Sequence, residues 1–218
     1  MPRFFSVCLP LLLAISSLGF SARRQSGTPA APSQETTASE STVAVDRPVY
    51  TADGRLEPLA HYREWIYLTT GMDMSYAPGA ATAGHSMFDN VFVNPSSYQA
   101  FERTGRWPDG TTLVLERRGA ESGVSINRHG QTQSAEIMGF EVHVKDARLP
   151  GGWGFFEFRG PVPAKLTPRP ADCYSCHEQH GAVDTTFVQF YPTLLGLAKD
   201  KNTLSPAYLK ELAAPAKP

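Results

Sequence analysis

Between Glu136 and Asp146 apolar and polar side chains alternate strictly: Met138, Phe140, Val142 and Val144 fall on one face, and Glu141, His143 and Lys145 on the other. That period of two predicts a strand with one buried face. The runs "MFDNVFV" (Met87 to Val93), "TTLVLER" (Thr111 to Arg117) and "WGFFEFR" (Trp153 to Arg159) are rich in β-branched and aromatic residues and predict three more strands. Leu149-Pro-Gly-Gly152 is a turn that makes the last strand the partner of Glu136 to Asp146 in an antiparallel hairpin. Trp107-Pro-Asp-Gly110 is another turn, because Pro presets one dihedral and Gly accepts a positive one.

Helical spacing is weaker. In "LAHYREWIYLTT" (Leu59 to Thr70), Leu59, Tyr62, Ile66 and Thr69-Thr70, with Trp65 beside them, predict a helix ending at Gly71. Asn94-Pro95 supplies an N-cap and a first helical residue, with Tyr98 and Phe101 on the apolar face and Gly105 as the stop. Asp172 is placed to cap a short helix through Cys173 to His180, Asp184 a second through "TTFVQFY", and Ser205-Pro206 opens a last one. The fold class is therefore α+β: a mostly antiparallel sheet of four to five strands with flanking helices.

The ends change this picture. Phe4 to Phe20 is almost wholly apolar after a basic start, and small residues follow, so residues 1–22 read as a secretory signal peptide cut after Gly19 or Ala22. Arg23 and Arg24 beyond the apolar run oppose the rival reading, an uncleaved membrane anchor. Residues 23–47 are Ser, Thr, Ala and Pro without an aromatic side chain, a composition expected to form a disordered linker. Residues 48–212 are enough for one domain with its own core. The 20 basic residues balance the 21 acidic ones and form no basic patch, which argues against nucleic acid as a partner.

Once Cys8 has left with the signal peptide, the remaining cysteines lie in "ADCYSCHEQHG" (Ala171 to Gly181). Structural zinc needs four ligands, normally two such pairs, and only one pair exists. A redox pair belongs at a strand-to-helix junction of a βαβ unit, whereas this motif follows a Pro-rich coil. The third chemistry is covalent c-type haem attachment: Cys173 and Cys176 add to the haem vinyl groups, and His177 presents its imidazole to the iron. Exported context favours this one, with one haem c per chain near the C-terminus.

Function turns on the second axial position. No methionine follows His177, and His180 shares the same helix and cannot reach the opposite haem face. An upstream ligand would have to be Met72, Met74, Met138, His61, His85, His129 or His143. Met138 reads as core, His143 as solvated, and Met72 and Met74 as loop residues. An open distal site is the expectation, walled by some of Phe88, Phe92, Phe140, Trp153, Phe155, Phe156 and Phe158.

The block "CYSCHEQHGAVDTTFVQFYPTL" (Cys173 to Leu194) resembles the C-terminal haem segment of the cytochrome P-460 family, which includes the cytochromes c-prime-beta. "HYREWIYLTTGM", "FDNVFVNPSSYQAFERTGRWPDGT" and "EVHVKDARLPGGWGFFEF" extend the resemblance in the same order, over roughly Tyr50 to Leu195. It implies a mostly β fold, a homodimer, and a five-coordinate haem held by Cys173, Cys176 and His177. It also implies either hydroxylamine oxidation or binding of nitric oxide or carbon monoxide. In hydroxylamine-oxidising members a lysine is cross-linked to the haem; the matching position here is Leu115. No lysine occurs between Arg47 and Val144, which leaves only Lys145 or Lys165 to take that part.

Three functions compete. An enzyme would oxidise hydroxylamine and pass electrons to a periplasmic carrier, with Glu136, Glu141 or Glu157 accepting protons; its catalytic residues are not identified by the sequence. A ligand-binding cytochrome would take up nitric oxide or carbon monoxide at ferrous iron. An electron-transfer cytochrome would fill the sixth position with an upstream Met or His. Leu115 favours the second.

Overall fold

Five strands pair in chain order into one antiparallel meander: β1 (Ile66–Met72), β2 (Met87–Val93), β3 (Thr112–Ser122), β4 (Gln131–Lys145) and β5 (Trp153–Glu157). Among the described residues four helices accompany them: α1 (Pro95–Thr104), α2 (Asp172–His180), α3 (Pro192–Asp200) and α4 (Pro206–Ala213). The computed structural model describes residues 46–76 and 86–214, all within one compact unit that begins at Thr42. The expected signal peptide and all but the last two residues of the expected linker lie outside the described residues. The architecture is the expected α+β.

The sheet is covered on both faces. One side buries Val114, Val142, Val144, Phe156 and Phe158 beneath Leu56 and Tyr62 of the N-terminal segment. The other buries Val93, Leu113 and Trp153 against Phe101 of α1 and against Val188, Leu194 and Tyr208 of the C-terminal third. Alternation along β2 to β5 sends successive side chains to these two cores, as period two requires.

The helix expected over residues 59–70 does not form. Tyr62–Glu64 make a single 3-10 turn, and the chain then enters β1. Ile66, Tyr67, Thr69 and Thr70 are strand formers, and the free edge of β2 gives their backbone a ladder that a short helix could not match. The register shifts between Tyr67 and Thr69, and Leu68 is buried. This irregularity breaks the period of two and gives the segment its helix-like spacing.

Capping also differs in detail. Asn94 precedes α1 but its side chain does not cap it. Its Oδ1 accepts from the Thr112 amide at 2.8 Å, pinning the start of β3, while Asp46 accepts from the Ser96 amide at 2.8 Å. Gly105 ends α1 in the left-handed conformation, as expected. Ser205 caps α4 by accepting from the Tyr208 amide at 3.0 Å. Asp172 is the first residue of α2, not its cap, because Ala171 occupies the cap position. Met138, expected in the core, is 44% exposed. Two register shifts near Arg118 carry the distal part of the β3–β4 hairpin out of the buried layer.

Candidate functional site

On α2, Cys173 and Cys176 lie three residues apart and so share a face. Both thiols are free and half-buried, and burial pushes both pKa values up. His177 follows one residue later. Its ring is boxed by Phe187, Phe155 and His143, with centroids 4.1, 4.7 and 4.9 Å away. Nδ1 lies 2.8 Å from the Thr185 carbonyl oxygen. A carbonyl only accepts, so Nδ1 carries the proton and Nε2 keeps its lone pair. Burial lowers the His177 pKa, partly opposed by the bond to Thr185, and the ring is held neutral as a metal ligand must be.

Thr185 belongs to a tight turn, Val183 to Thr186, in which Asp184 and Thr185 both adopt left-handed backbone (φ 52° and 62°). The helix expected after Asp184 is absent. Its carboxylate instead receives the Lys145 ammonium at 3.0 Å and the Trp107 amide at 3.2 Å. Only a 3-10 turn, Val188–Phe190, precedes α3, which starts where Pro192 can occupy the first helical position.

Between α2 with its following turn and the sheet face that carries Leu113 lies a cavity of about 300 Å³. Its sheet wall includes Val91, Leu113, Leu115 and Phe155, and its other wall is His177, Phe187, Phe190 and Tyr191. Tyr76 covers it, stacked on Phe190 and 5.6 Å from Phe187. A charged cluster breaks the mostly apolar lining: Arg117 pairs with Glu141 and lies 3.8 Å from Asp89. Burial raises the Asp89 pKa, only partly offset by Arg117, and its Oδ1 has no hydrogen-bond partner.

Several expected site residues are placed differently. His143, expected to be solvated, is 7% exposed, stacked on Phe155 at 4.0 Å and 10° and next to Trp153. The His177 wall covers this stretch of β4, so the face that looks polar in the alternation is buried here. Of the expected aromatic walls, Phe155 lines the cavity and Trp153 packs behind His143, whereas Phe92, Phe140, Phe156 and Phe158 belong to the core on the opposite side. Of the expected proton acceptors, Glu141 lines the cavity, while Glu157 is exposed and paired with Arg159 and Glu136 is exposed. His180 lies outside the cavity, bound to Glu211 of α4 at 3.0 Å.

Among the upstream ligand candidates, Met74 lines the cavity with its sulfur lodged against Gly71, and so does Met87. Met72 and Met138 are largely exposed, His61 pairs with Glu64, His129 is exposed, and His85 lies outside the described residues. Of the two lysines left for the cross-linking part, Lys145 is committed to Asp184 and Lys165 is exposed. Met87, Asp89 and Arg117 were legible through period two, since Met87, Asp89 and Val91 share one face of β2, and Leu115 and Arg117 the paired face of β3. Phe187 and Phe190 sit in a turn that has no period to reveal them.

A haem fits this donor set. The cavity is mostly apolar, one wall offers an imidazole with a free Nε2, and two free thiols precede that imidazole on the same helix. His143 also lines the cavity, and its fully buried Nε2 has no hydrogen-bond partner among the described residues, which costs about 1–3 kcal/mol.

No curated protein matches the chain. The family model for cytochrome P-460 matches residues 59–188, a span that holds all five strands, α2 and the turn at Thr185. The chain belongs to the cytochrome P-460 family and, with it, to the haem proteins.

Proposed function

We propose that this protein is an exported c-type cytochrome with one haem, attached through Cys173 and Cys176 and ligated by His177, that binds a small uncharged ligand such as nitric oxide or carbon monoxide. The observation that carries this reading is Leu115 in the cavity wall, flanked by Val91 and Leu113. It puts an apolar side chain where the resemblance leads one to look for a cross-linking lysine. When bound, the haem supplies an iron able to coordinate a diatomic ligand. The protein's own part is to hold His177 by Phe155, Phe187 and the Thr185 carbonyl, and to exclude water with the aliphatic wall. Asp89 and Glu141 against a single Arg117 leave the polar corner with no surplus positive charge, which disfavours anions. The exposed Tyr67 and Met72 of edge strand β1 support pairing with a second copy.

Hydroxylamine oxidation is the second reading, supported by Asp89 and Glu141, either of which could accept a proton in the cavity. A six-coordinate electron carrier is the third, supported by Met74 and Met87.

Optical spectra of the purified protein separate the three. An ordinary high-spin c-type spectrum, with carbon monoxide uptake by the ferrous form and no turnover of hydroxylamine, is the expected result. A strongly red-shifted Soret band would mean that a cross-link exists despite Leu115. A low-spin spectrum unresponsive to carbon monoxide would establish a sixth protein ligand. Replacing Cys173 and Cys176 together by Ser is expected to leave no haem on the denatured chain; haem that still migrates with it on a denaturing gel would overturn the thioether assignment.

A further inference from the structure

We infer that Lys145 is a positioning residue for the haem-ligating imidazole, acting through Asp184 and the Thr185 carbonyl. The inference rests on the proposed role of His177 as the iron ligand. Lys145 is the last residue of β4, and its ammonium donates to the Trp107 carbonyl at 2.8 Å and to Asp184 Oδ2 at 3.0 Å. The same carboxylate oxygen accepts from the Trp107 amide at 3.2 Å. The Trp107 indole donates to Thr186 Oγ1 at 2.8 Å, and Thr186 Oγ1 donates to the Val183 carbonyl at 2.7 Å. Every residue of the turn except Thr185 is therefore fixed by Lys145, Trp107 or its own cross-turn bonds.

Thr185 is the one that meets the imidazole. A β-branched residue in left-handed backbone, such as Thr185, is disfavoured, and it persists only where the surroundings over-determine it. Lys145 and Trp107 supply that constraint from outside the turn. What the constraint achieves is the direction of one carbonyl, that of Thr185, toward His177 Nδ1. A hydrogen bond on the far nitrogen of a ligating imidazole fixes its orientation and raises its basicity. Releasing Asp184 frees the turn to relax, the Thr185 carbonyl withdraws, and Nε2 becomes a weaker donor. The Lys145 side chain is only 26% exposed and Asp184 18%, so water does not readily replace the pair.

The test uses the full-length exported holoprotein, with the ferrous iron–histidine stretching band and the midpoint potential as readouts. Lys145→Met and Asp184→Asn are expected to move the band to lower frequency and to raise the potential, since a weaker donor stabilises ferric iron less. Lys145→Arg, which can still donate to both acceptors, is expected to restore both readouts. Glu116→Gln, on the opposite face of the sheet, is expected to lower stability and leave both unchanged. Wild-type values in Lys145→Met and Asp184→Asn, or an equal shift in Glu116→Gln, would overturn the inference. If Lys145→Met yields no folded protein, Asp184→Asn decides. If His177→Ala leaves the band intact, the ligand assignment fails and this inference falls with it; if His177→Ala abolishes the band and Asp184→Asn does not shift it, the positioning role alone fails.

Discussion

Replacing Glu116 by Ala is expected to lower folding stability by about 3–5 kcal/mol, a large share of the ~5–15 kcal/mol that holds a typical domain together. Glu116 is 1% exposed on the face of β3 turned away from the cavity. Its carboxylate accepts from the Tyr62 hydroxyl, from Arg63, and from Arg118 Nε at 2.5 Å. Truncation leaves the Tyr62 hydroxyl and the Arg118 guanidinium, itself only 16% exposed, without that acceptor. Arg63 is half exposed and recovers water at little cost. The loss is therefore dominated by Arg118, which loses its carboxylate and keeps only the Ser134 and Ala135 carbonyls as acceptors. Burial pushes the Glu116 carboxyl up, but Arg118, Tyr62 and Arg63 together outweigh it and hold the pKa below the usual value. A depressed folded-state pKa gives stability that is fully present above the unfolded value, about 4.3. That stability is lost as pH falls through the lower folded value. Denaturant titrations at pH 7 and at pH 3 should show the gap between wild type and Glu116→Gln narrowing in acid. A gap that does not change with pH, or a cost for Glu116→Ala below about 1 kcal/mol, the level of an exposed pair, would show that the cluster is only a surface network.

That cluster illustrates what the sequence could and could not reveal about the fold. Alternation identified the buried part of β4, because one regular face is enough to mark a strand, and β-branched and aromatic composition identified β2, β3 and β5. Neither could say that the polar member of an alternating pair, Glu116 or His143, is as buried as its apolar neighbours. Both faces of this sheet are covered, so polarity marks a pairing partner here rather than solvent. The segment at Leu59 to Thr70 was misread as a helix for a related reason. A register shift at Leu68 adds one residue to β1, and a strand with an extra residue imitates the spacing of a helix. Helix α3 went unseen because the helix was placed one segment early, over "TTFVQFY", whereas the chain makes only a 3-10 turn there and Pro192 starts the helix.

The site was legible as a motif and opaque as a cavity. Cys173, Cys176 and His177 stand together because local spacing on a helix does not depend on the rest of the molecule. The walls depend on which strand face looks toward α2, a tertiary fact. Choosing aromatics by type alone sent Phe92, Phe140, Phe156 and Phe158 to the wrong side, and left out Phe187 and Tyr76, which touch the site from irregular chain. Asp184 looked like a helix cap because short acidic residues favour that place. Lys145, 39 positions away, instead claims its carboxylate.

Replacing His177 by Ala is the variant with the largest expected effect on the iron. The chain should still carry its haem on a denaturing gel, because Cys173 and Cys176 are untouched, but the ferrous iron–histidine band should vanish. Added imidazole should restore it, since the space bounded by Phe155, Phe187 and His143 matches the ring removed. The rival outcome is specific. Among the described residues His143 is the one other imidazole that lines the cavity, and its Nε2 is without a partner. Its ring, however, is sandwiched flat on Phe155 at 4.0 Å with Trp153 at 4.4 Å, and swinging it toward iron would break both contacts. His177, by contrast, already has Nδ1 satisfied by Thr185 and Nε2 free. Persistence of a nitrogen-ligated band in His177→Ala, and its disappearance only in the double variant with His143→Leu, would assign the iron to the strand rather than to the helix. The expected result, loss in the single variant and no change in His143→Leu alone, leaves His143 as a buried neighbour packed between Phe155 and Trp153.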